Sequence, residues 1–284
     1  MEIRSITPEE LEFVELICLD PSIWSKWREE MNPCMERRKL WLKKMMKKGL
    51  EILIAFEDPR IALESLKGKN RKFHSMVLNG KFPMGLIEYL PIEYAVEPVI
   101  GEKSYFLNCL WVIPPFWKKG IGKNLVNAAI ENTQSIGGMT VLAYEGDQWF
   151  GWFPMMPSEF FKKFGFKEVD RDGSRILLYN NLGSGTTPKF IQPKKRDIKT
   201  QTGTLVEALF NDQCPWSYWL VTRIQKYMKR KHTTIKLINT GDRKIIKEYG
   251  LSRGVCINGI PIVKKMASWK EIQSIIRNKK PSKE

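Results

Sequence analysis

The sequence predicts an α/β protein of two units: a larger mixed sheet flanked by helices, then a smaller β-α-β-α-β-β-α unit. Three observations favour this class. Short β-forming apolar runs alternate with amphipathic helical runs. A stretch rich in Gly, Ser, Thr, Pro and Lys predicts a linker at 183–203, between a first unit at 1–182 and a second at 204–284. A chain of 284 residues, 43% of them hydrophobic, is long and apolar enough for two packed cores.

Local patterns define the elements of the first unit. We expect strands at 1–6, 50–56, 83–94, 105–113, 139–144, 166–170 and 175–179, and helices from Pro8, at 34–48, at 121–136 and at 158–165. Thr7 and Glu10 are spaced as a capping box, and Gly49 stands where the second helix should end. Residues 58–80 are polar and are expected to form a loop.

The second unit has its own pattern. We expect strands at 205–210, 233–239, 255–257 and 260–264, and helices at 215–229, 242–249 and 269–277. Asn258-Gly259 predicts a tight type I′ hairpin between the last two strands.

Composition excludes several classes of protein. No run approaches the length of a transmembrane helix, and MEIRSITPEE lacks the layout of a secretion signal. The five cysteines are widely spaced, so we expect a reduced, cytoplasmic protein without a metal site. The net charge of +16 is dispersed along the chain, so we expect no membrane or nucleic-acid partner, and the sequence leaves an oligomer open.

The stretch from Tyr105 to Gln134 combines a strand, a glycine-containing turn and an amphipathic helix. Gly120 and Gly122 lie where the strand gives way to the helix. Glycines there let backbone N–H groups close on an anion, and the helix directs its positive end to the same place. This pattern predicts a phosphate cradle.

Two motifs around this stretch resemble those of the GNAT acetyltransferase superfamily. Residues 112–114, VIP, end the strand, and 117–122, WKKGIG, stand where the superfamily has Arg/Gln-x-x-Gly-x-Gly/Ala. Residues 160–166, FFKKFGF, match its helix ending in Gly-Phe. The resemblance covers roughly residues 1–182 and implies an acyltransferase, acting as an acetyl-CoA-dependent N-acetyltransferase.

The second unit resembles a thioredoxin-like domain. Residues 214–217, CPWS, stand where that fold places its active-site cysteine at a helix N-terminus. The tandem is similar to acetyltransferases with a YoaP-like C-terminal domain, and residues 91–95, PIEYA, and 108–112, NCLWV, also fit that group. Cys214 is therefore a candidate thiol site, although Ser217 replaces the second cysteine of a redox pair.

The resemblance implies acetyl-CoA as co-substrate. Loop N–H groups would hold the pyrophosphate, and the strand would pair with the pantetheine amides as an added strand does. Members of the superfamily separate this strand from the next one, here 139–144, to admit the cofactor. The implied cofactor-binding residues are Leu110, Val112, Lys118, Lys119, Gly120, Ile121, Gly122 and Lys123.

Transfer to a small-molecule or peptide amine requires a base, because a lysine-type amine has a pKa of about 10.4. Glu93 and Glu145 are the first candidates, since each is expected at a strand end facing the cleft. Glu88 and Asp147 are alternatives.

The proton donor departs from the superfamily pattern. Its frequent tyrosine acid would fall at Phe161, which has no proton to give, so Tyr144 is the nearest substitute. Trp117 replaces the Arg/Gln of the phosphate loop. We expect direct acetyl transfer in a ternary complex; the alternatives are a non-catalytic acyl-CoA sensor and a thiol-linked or redox protein using Cys214. Residues 149–153, WFGWF, would either wall an acceptor pocket or cap the core.

Overall fold

The computed structural model has a seven-stranded and a four-stranded sheet, which pack against each other through helices, and two small two-stranded sheets among the described residues. It describes residues 1–21, 27–66, 70–135, 137–146, 149–150, 153–183, 185–192, 205–229, 234–266 and 271–274. Within these ranges no helix is long and apolar enough to cross a membrane.

Both units combine strands and helices. The strands are β1 (Glu2–Ser5), β2 (Glu51–Glu57), β3 (Phe82–Pro91), β4 (Val99–Ile100), β5 (Tyr105–Val112), β6 (Gly138–Tyr144), β7 (Trp149–Phe150), β8 (Phe153–Pro154), β9 (Lys167–Asp172), β10 (Arg175–Asn181), β11 (Lys189–Phe190), β12 (Leu205–Phe210), β13 (Thr234–Asn239), β14 (Gly254–Ile257) and β15 (Ile260–Val263). The helices are α1 (Glu12–Cys18), α2 (Arg28–Met46), α3 (Pro59–Glu64), α4 (Ile121–Thr133), α5 (Ser158–Lys162), α6 (Pro215–Lys229) and α7 (Arg243–Tyr249).

The larger sheet has the strand order β1-β2-β3-β5-β6-β10-β9. Adjacent strands in this sheet are antiparallel except β5 and β6, which run parallel and are joined through α4. The strands β2, β3 and β6 are buried over most of their length and read as continuous apolar runs, as a sheet covered on both faces requires. The predicted mixed sheet flanked by helices is confirmed.

Two local expectations for the first unit are wrong. The segment expected as a loop contains α3, which the Asp58 side chain caps by accepting from the Arg60 N–H at 2.8 Å. Helix α2 begins at Arg28 rather than Cys34, so Pro33 lies inside it. Buried Met31 and Met35, on either side of that proline, pack against the second unit, and this tertiary contact offsets the missing backbone donor.

The smaller sheet has the order β13-β12-β14-β15, with β12 and β13 parallel and the other pairs antiparallel. The predicted element order is observed through β15, and the hairpin turns at Asn258 and Gly259, both with positive φ. Of the predicted last helix, residues 271–274 are described, and they are helical. The assignment to a thioredoxin-like class stays a prediction.

The two units share an apolar core. Leu19, Met31 and Met35 of the first unit pack with Trp216 and Leu220 of α6. Part of the predicted linker is also structured, because β11 pairs with β4 and buries Phe190. Residues 193–204 lie outside the described ranges.

Charged contacts join the units around this core. Arg37 on α2 binds Asp212 in a bidentate pair at 2.8 and 3.0 Å, and Glu30 accepts from Arg223 at 2.7 Å. The contact between the units is therefore specific as well as apolar.

Candidate functional site

The strands β5 and β6 separate at the carboxyl end of the sheet. They pair only between residues 105–107 and 139–141, whereas β5 stays paired with β3 as far as Val112. Asn108 is the extra residue of a bulge at the point of separation, since Glu88 faces Cys109 and Tyr89 faces Leu107. The backbone edge of Leu110–Val112 that faces β6 is therefore released from the ladder, as the prediction of an opening for a cofactor requires.

The N-terminus of α4 forms a turn suited to an anion. Gly120 caps the helix with φ +80°, and Lys118 also has a positive φ of 61°. The Asn124 N–H donates to the Gly120 carbonyl at 3.0 Å, so the N–H groups of residues 121–123 have no helical acceptor. A Cβ on Gly120 would meet nothing within 4 Å, which leaves open space above the turn. The predicted cradle has the geometry of an anion-binding helix start.

Cationic side chains surround this turn. Lys118, Lys119 and Lys123 are exposed, and the Lys119 ammonium lies 4.7 Å from the centre of the Phe116 ring. Ile121 is buried and anchors the helix to the core. The lysines add positive charge beside the free N–H groups of the helix.

Trp117 contacts the cofactor strand instead of the turn. Its indole N–H donates to the Val112 carbonyl, and its ring meets Trp111 edge to face at 5.8 Å. The donor of Trp117 is thus used on β5 and not on the turn.

A cavity of about 190 Å³ lies where the strands separate, and both units line it. The first unit contributes Cys18, Arg38, Glu97, Leu110, Trp111 and Tyr144. The second contributes Gln213, Cys214, Trp216, Ser252 and Arg253. The second unit therefore closes the end of the opening that the first unit provides.

Tyr144 lines this cavity. It ends β6 and is 7% exposed, and burial raises the pKa of its phenol well above the usual range. The hydroxyl therefore keeps its proton. Phe161 is fully buried in the core beside Phe160 and Phe166, so the position of the superfamily's acid does not reach the cavity.

Glu88, an alternative base, is held by other residues. Its carboxylate is fully buried and forms an ion pair with Arg38, which is 1% exposed. Amide groups of Asn108 and Gln213 each donate to it at 3.4 Å. A carboxylate held by three donors is a structural anion behind the cavity rather than a free base.

Neither first candidate for the base lines the cavity. Glu93 lies in a 3-10 turn after β3 and lines a separate surface groove with Arg243 and Lys247, which corrects its expected position. Glu145 follows Tyr144, but its side chain is exposed and pairs with Arg171 at 2.8 Å. Their roles as bases stay predictions. Asp147 and the side chains of the aromatic loop lie outside the described part of the structure.

The sequence interpretation missed Glu97 as a site residue. It lines the cavity, is 7% exposed, and accepts from the Ser252 hydroxyl and the Arg253 guanidinium. No local pattern marks it, because its partners lie more than 150 residues away in the second unit.

Three thiols, those of Cys18, Cys109 and Cys214, line the cavity. Enclosure by protein atoms raises the pKa of Cys18 to about 12 and that of Cys109 well above its ordinary value. Cys256 is buried in β14 and lies outside the cavity lining. Among the described residues no group of three His, Cys, Asp or Glu side chains could hold a metal ion.

The family model of the acetyltransferase (GNAT) family matches residues 24–146, which include the separated strand, the turn and α4. This part of the chain matches a GNAT acetyltransferase domain, and the protein is an acyltransferase.

One curated relative and two solved structures illustrate the similarity. The uncharacterized N-acetyltransferase YoaP of Bacillus subtilis (strain 168) is 20% identical over 218 residues, which are 76% of this chain and 76% of the relative. The PaiA N-acetyltransferase from Thermoplasma acidophilum, in complex with coenzyme A, aligns with a TM-score of 0.41 and 20% identity over 63% of this chain and 98% of that chain. A GNAT family acetyltransferase from Brucella melitensis, in complex with acetyl-CoA, aligns with a TM-score of 0.35 and 16% identity over 65% of this chain and 90% of that chain.

Proposed function

We propose that this protein is an N-acetyltransferase that moves the acetyl group of acetyl-CoA directly to a small amine bound in the cavity between its units. The observation that supports the proposal is that three features of the structure adjoin one another. The turn at Gly120 offers an anion site, β5 offers a free backbone edge next to it, and the cavity begins where that edge meets the second unit.

The cofactor would lie along β5. Backbone N–H groups at residues 118–123 would hold the pyrophosphate, with Lys118, Lys119 and Lys123 adding charge. The backbone of Leu110 and the N–H of Val112 would pair with pantetheine, since the Val112 carbonyl already accepts from Trp117. Because the Trp117 indole already donates to the Val112 carbonyl, that side chain would lie against the pantetheine arm.

The acceptor would enter from the side of the second unit. A cavity of about 190 Å³ suits a small amine better than a folded protein surface. Protonated Tyr144 would donate to the departing coenzyme A thiolate. The amine proton would leave through water to a carboxylate; Glu93 and Glu145 stay the proposed bases, and Glu97 is the carboxylate already lining the cavity.

Calorimetric titration with acetyl-CoA tests the cofactor site. Gly120→Glu should abolish binding, because it places a negative charge and a side chain in the open space above the turn. Gly80→Glu is the matched control: Gly80 also has a positive φ, of 69°, and open space around it, but it lies in the hairpin before β3. Equal loss of binding in both variants, or no binding by the parent protein, would refute the proposal.

Coenzyme A release with a library of small amines tests the transfer. Turnover that depends on the amine is expected, and binding without such turnover would indicate an acyl-CoA sensor instead. The pH profiles of Glu93→Gln, Glu145→Gln and Glu97→Gln then assign the base, since only loss of the acting base should remove the acidic limb of the kcat profile.

A further inference from the structure

Cys214 is held rigidly in the wall of the cavity. It directly precedes α6, and its carbonyl accepts from the Ser217 N–H at 3.0 Å in the first turn of that helix. On its other side, Asp212 is bound by Arg37, and the Gln213 N–H donates to the Asn211 side chain at 3.2 Å. Such a fixed loop defines the position of the thiol.

The loop also contacts the cofactor strand. The Gln213 side-chain amide lies 3.5 Å from the Asn108 carbonyl, at the bulge where β5 leaves β6. Cys214 is the next residue, and it lines the same cavity as Leu110 and Trp111. The thiol therefore faces the end of the strand at which a bound thioester would present its carbonyl.

A second feature of the cavity, a buried arginine donor, is suited to bind a negatively charged oxygen of a ligand. Arg38 is 1% exposed and lines the cavity, and its Nε has no hydrogen-bond partner among the described residues. A buried N–H without a partner is costly, so a ligand oxygen at this point would be stabilised. Arg253 lines the same cavity as Arg38 and Cys214.

The other two thiols and the carboxylate of the cavity are less suited. The thiols of Cys18 and Cys109 stay protonated because enclosure raises their pKa values. The Glu97 carboxylate is bound by Ser252 and Arg253. The remaining thiol of the cavity lining is that of Cys214, and a cysteine sulfur is a strong nucleophile toward a thioester once its proton has left.

We propose that Cys214 is a second acyl acceptor, which takes the acetyl group from acetyl-CoA as a thioester when no amine occupies the cavity. The inference rests on the proposed use of acetyl-CoA. The Cys214 thiol gives its proton to solvent, and its sulfur forms a bond to the acetyl carbonyl carbon. The oxyanion that forms is stabilised by the free N–H of Arg38. Collapse breaks the bond between that carbon and the sulfur of coenzyme A, which leaves as a thiolate and takes a proton, so that one thioester replaces another without an oxidant.

The test is mass spectrometry of the reduced full chain after incubation with acetyl-CoA alone. We expect a mass increase of one acetyl group, located by peptide mapping on Cys214 and removed by neutral hydroxylamine, which cleaves thioesters and leaves amides. Cys214→Ala should lose this label completely. Cys256→Ala is the matched control, since Cys256 belongs to the same unit but lies outside the cavity lining, and it should keep the label.

The parent protein alone makes the inference falsifiable, because the label is mapped without any variant. If the parent binds acetyl-CoA and acetylates an amine but shows no acetyl group on Cys214, the inference fails and the proposed function stands. A label on Cys109 or Cys18 would likewise overturn it. A parent that does not bind acetyl-CoA would refute both.

Discussion

Replacing Arg38 with methionine should destabilise the protein strongly, because it leaves the Glu88 carboxylate buried without its cation. The two side chains are 1% and 0% exposed. Removing one partner of a buried pair costs about 3–5 kcal/mol. The two neutral amides that remain on Glu88 donate over 3.4 Å, so we expect the lower part of that range, about 3 kcal/mol.

A double-mutant cycle separates the free-energy cost of the unpaired Glu88 charge from the cost of lost packing. Arg38→Met with Glu88→Leu removes both charges and leaves only amide donors without their acceptor, so the double variant should cost about 1–2 kcal/mol. The free energies of unfolding come from urea denaturation followed by tryptophan fluorescence. Arg4→Met is the control: Arg4 pairs with Glu10 at the surface, with side chains 29% and 27% exposed, and its loss should cost less than about 1 kcal/mol.

The reasoning would be refuted by additive effects. If the double variant costs the sum of the single ones, the two groups do not interact, and the pair does not hold the β5 bulge. A cost for Arg38→Met no larger than that of Arg4→Met would contradict the burial argument itself.

Two further predictions concern the acid position and the thiols. Phe161→Tyr, which restores the superfamily's tyrosine, should lower stability by about 1–3 kcal/mol without raising the transfer rate, because its hydroxyl would be buried among Phe160 and Phe166 without a partner; a faster enzyme in the amine assay would contradict this. Alkylation of Cys18 by iodoacetamide, followed by peptide mapping, should rise about tenfold per pH unit up to pH ~11, since its pKa of about 12 keeps the thiol protonated at lower pH. A plateau above pH ~9, as for an ordinary thiol, would show that enclosure does not suppress this residue.

Sequence patterns predicted most of the elements because those patterns are local. The glycine turn before α4, the buried strand β6 and the Asn258-Gly259 hairpin each depend on backbone preferences within a few residues. The predictions that were wrong also have a physical cause. Helix α2 extends through Pro33 because its buried neighbours Met31 and Met35 pack against the second unit, and no local sequence pattern predicts such a contact.

The sequence by itself determined the order of the elements, the glycine turn at Gly120 and the presence of Phe161 where the superfamily often has a tyrosine. Each of these is a matter of residue type at a fixed spacing. The tertiary structure decided which groups share one cavity and which charges are already bound. Arg38 meets Glu88 across 50 residues, and Arg253 meets Glu97 across 156. Whether a carboxylate or a thiol is available for chemistry depends on such partners and on burial, because both alter the free energy of its charged form.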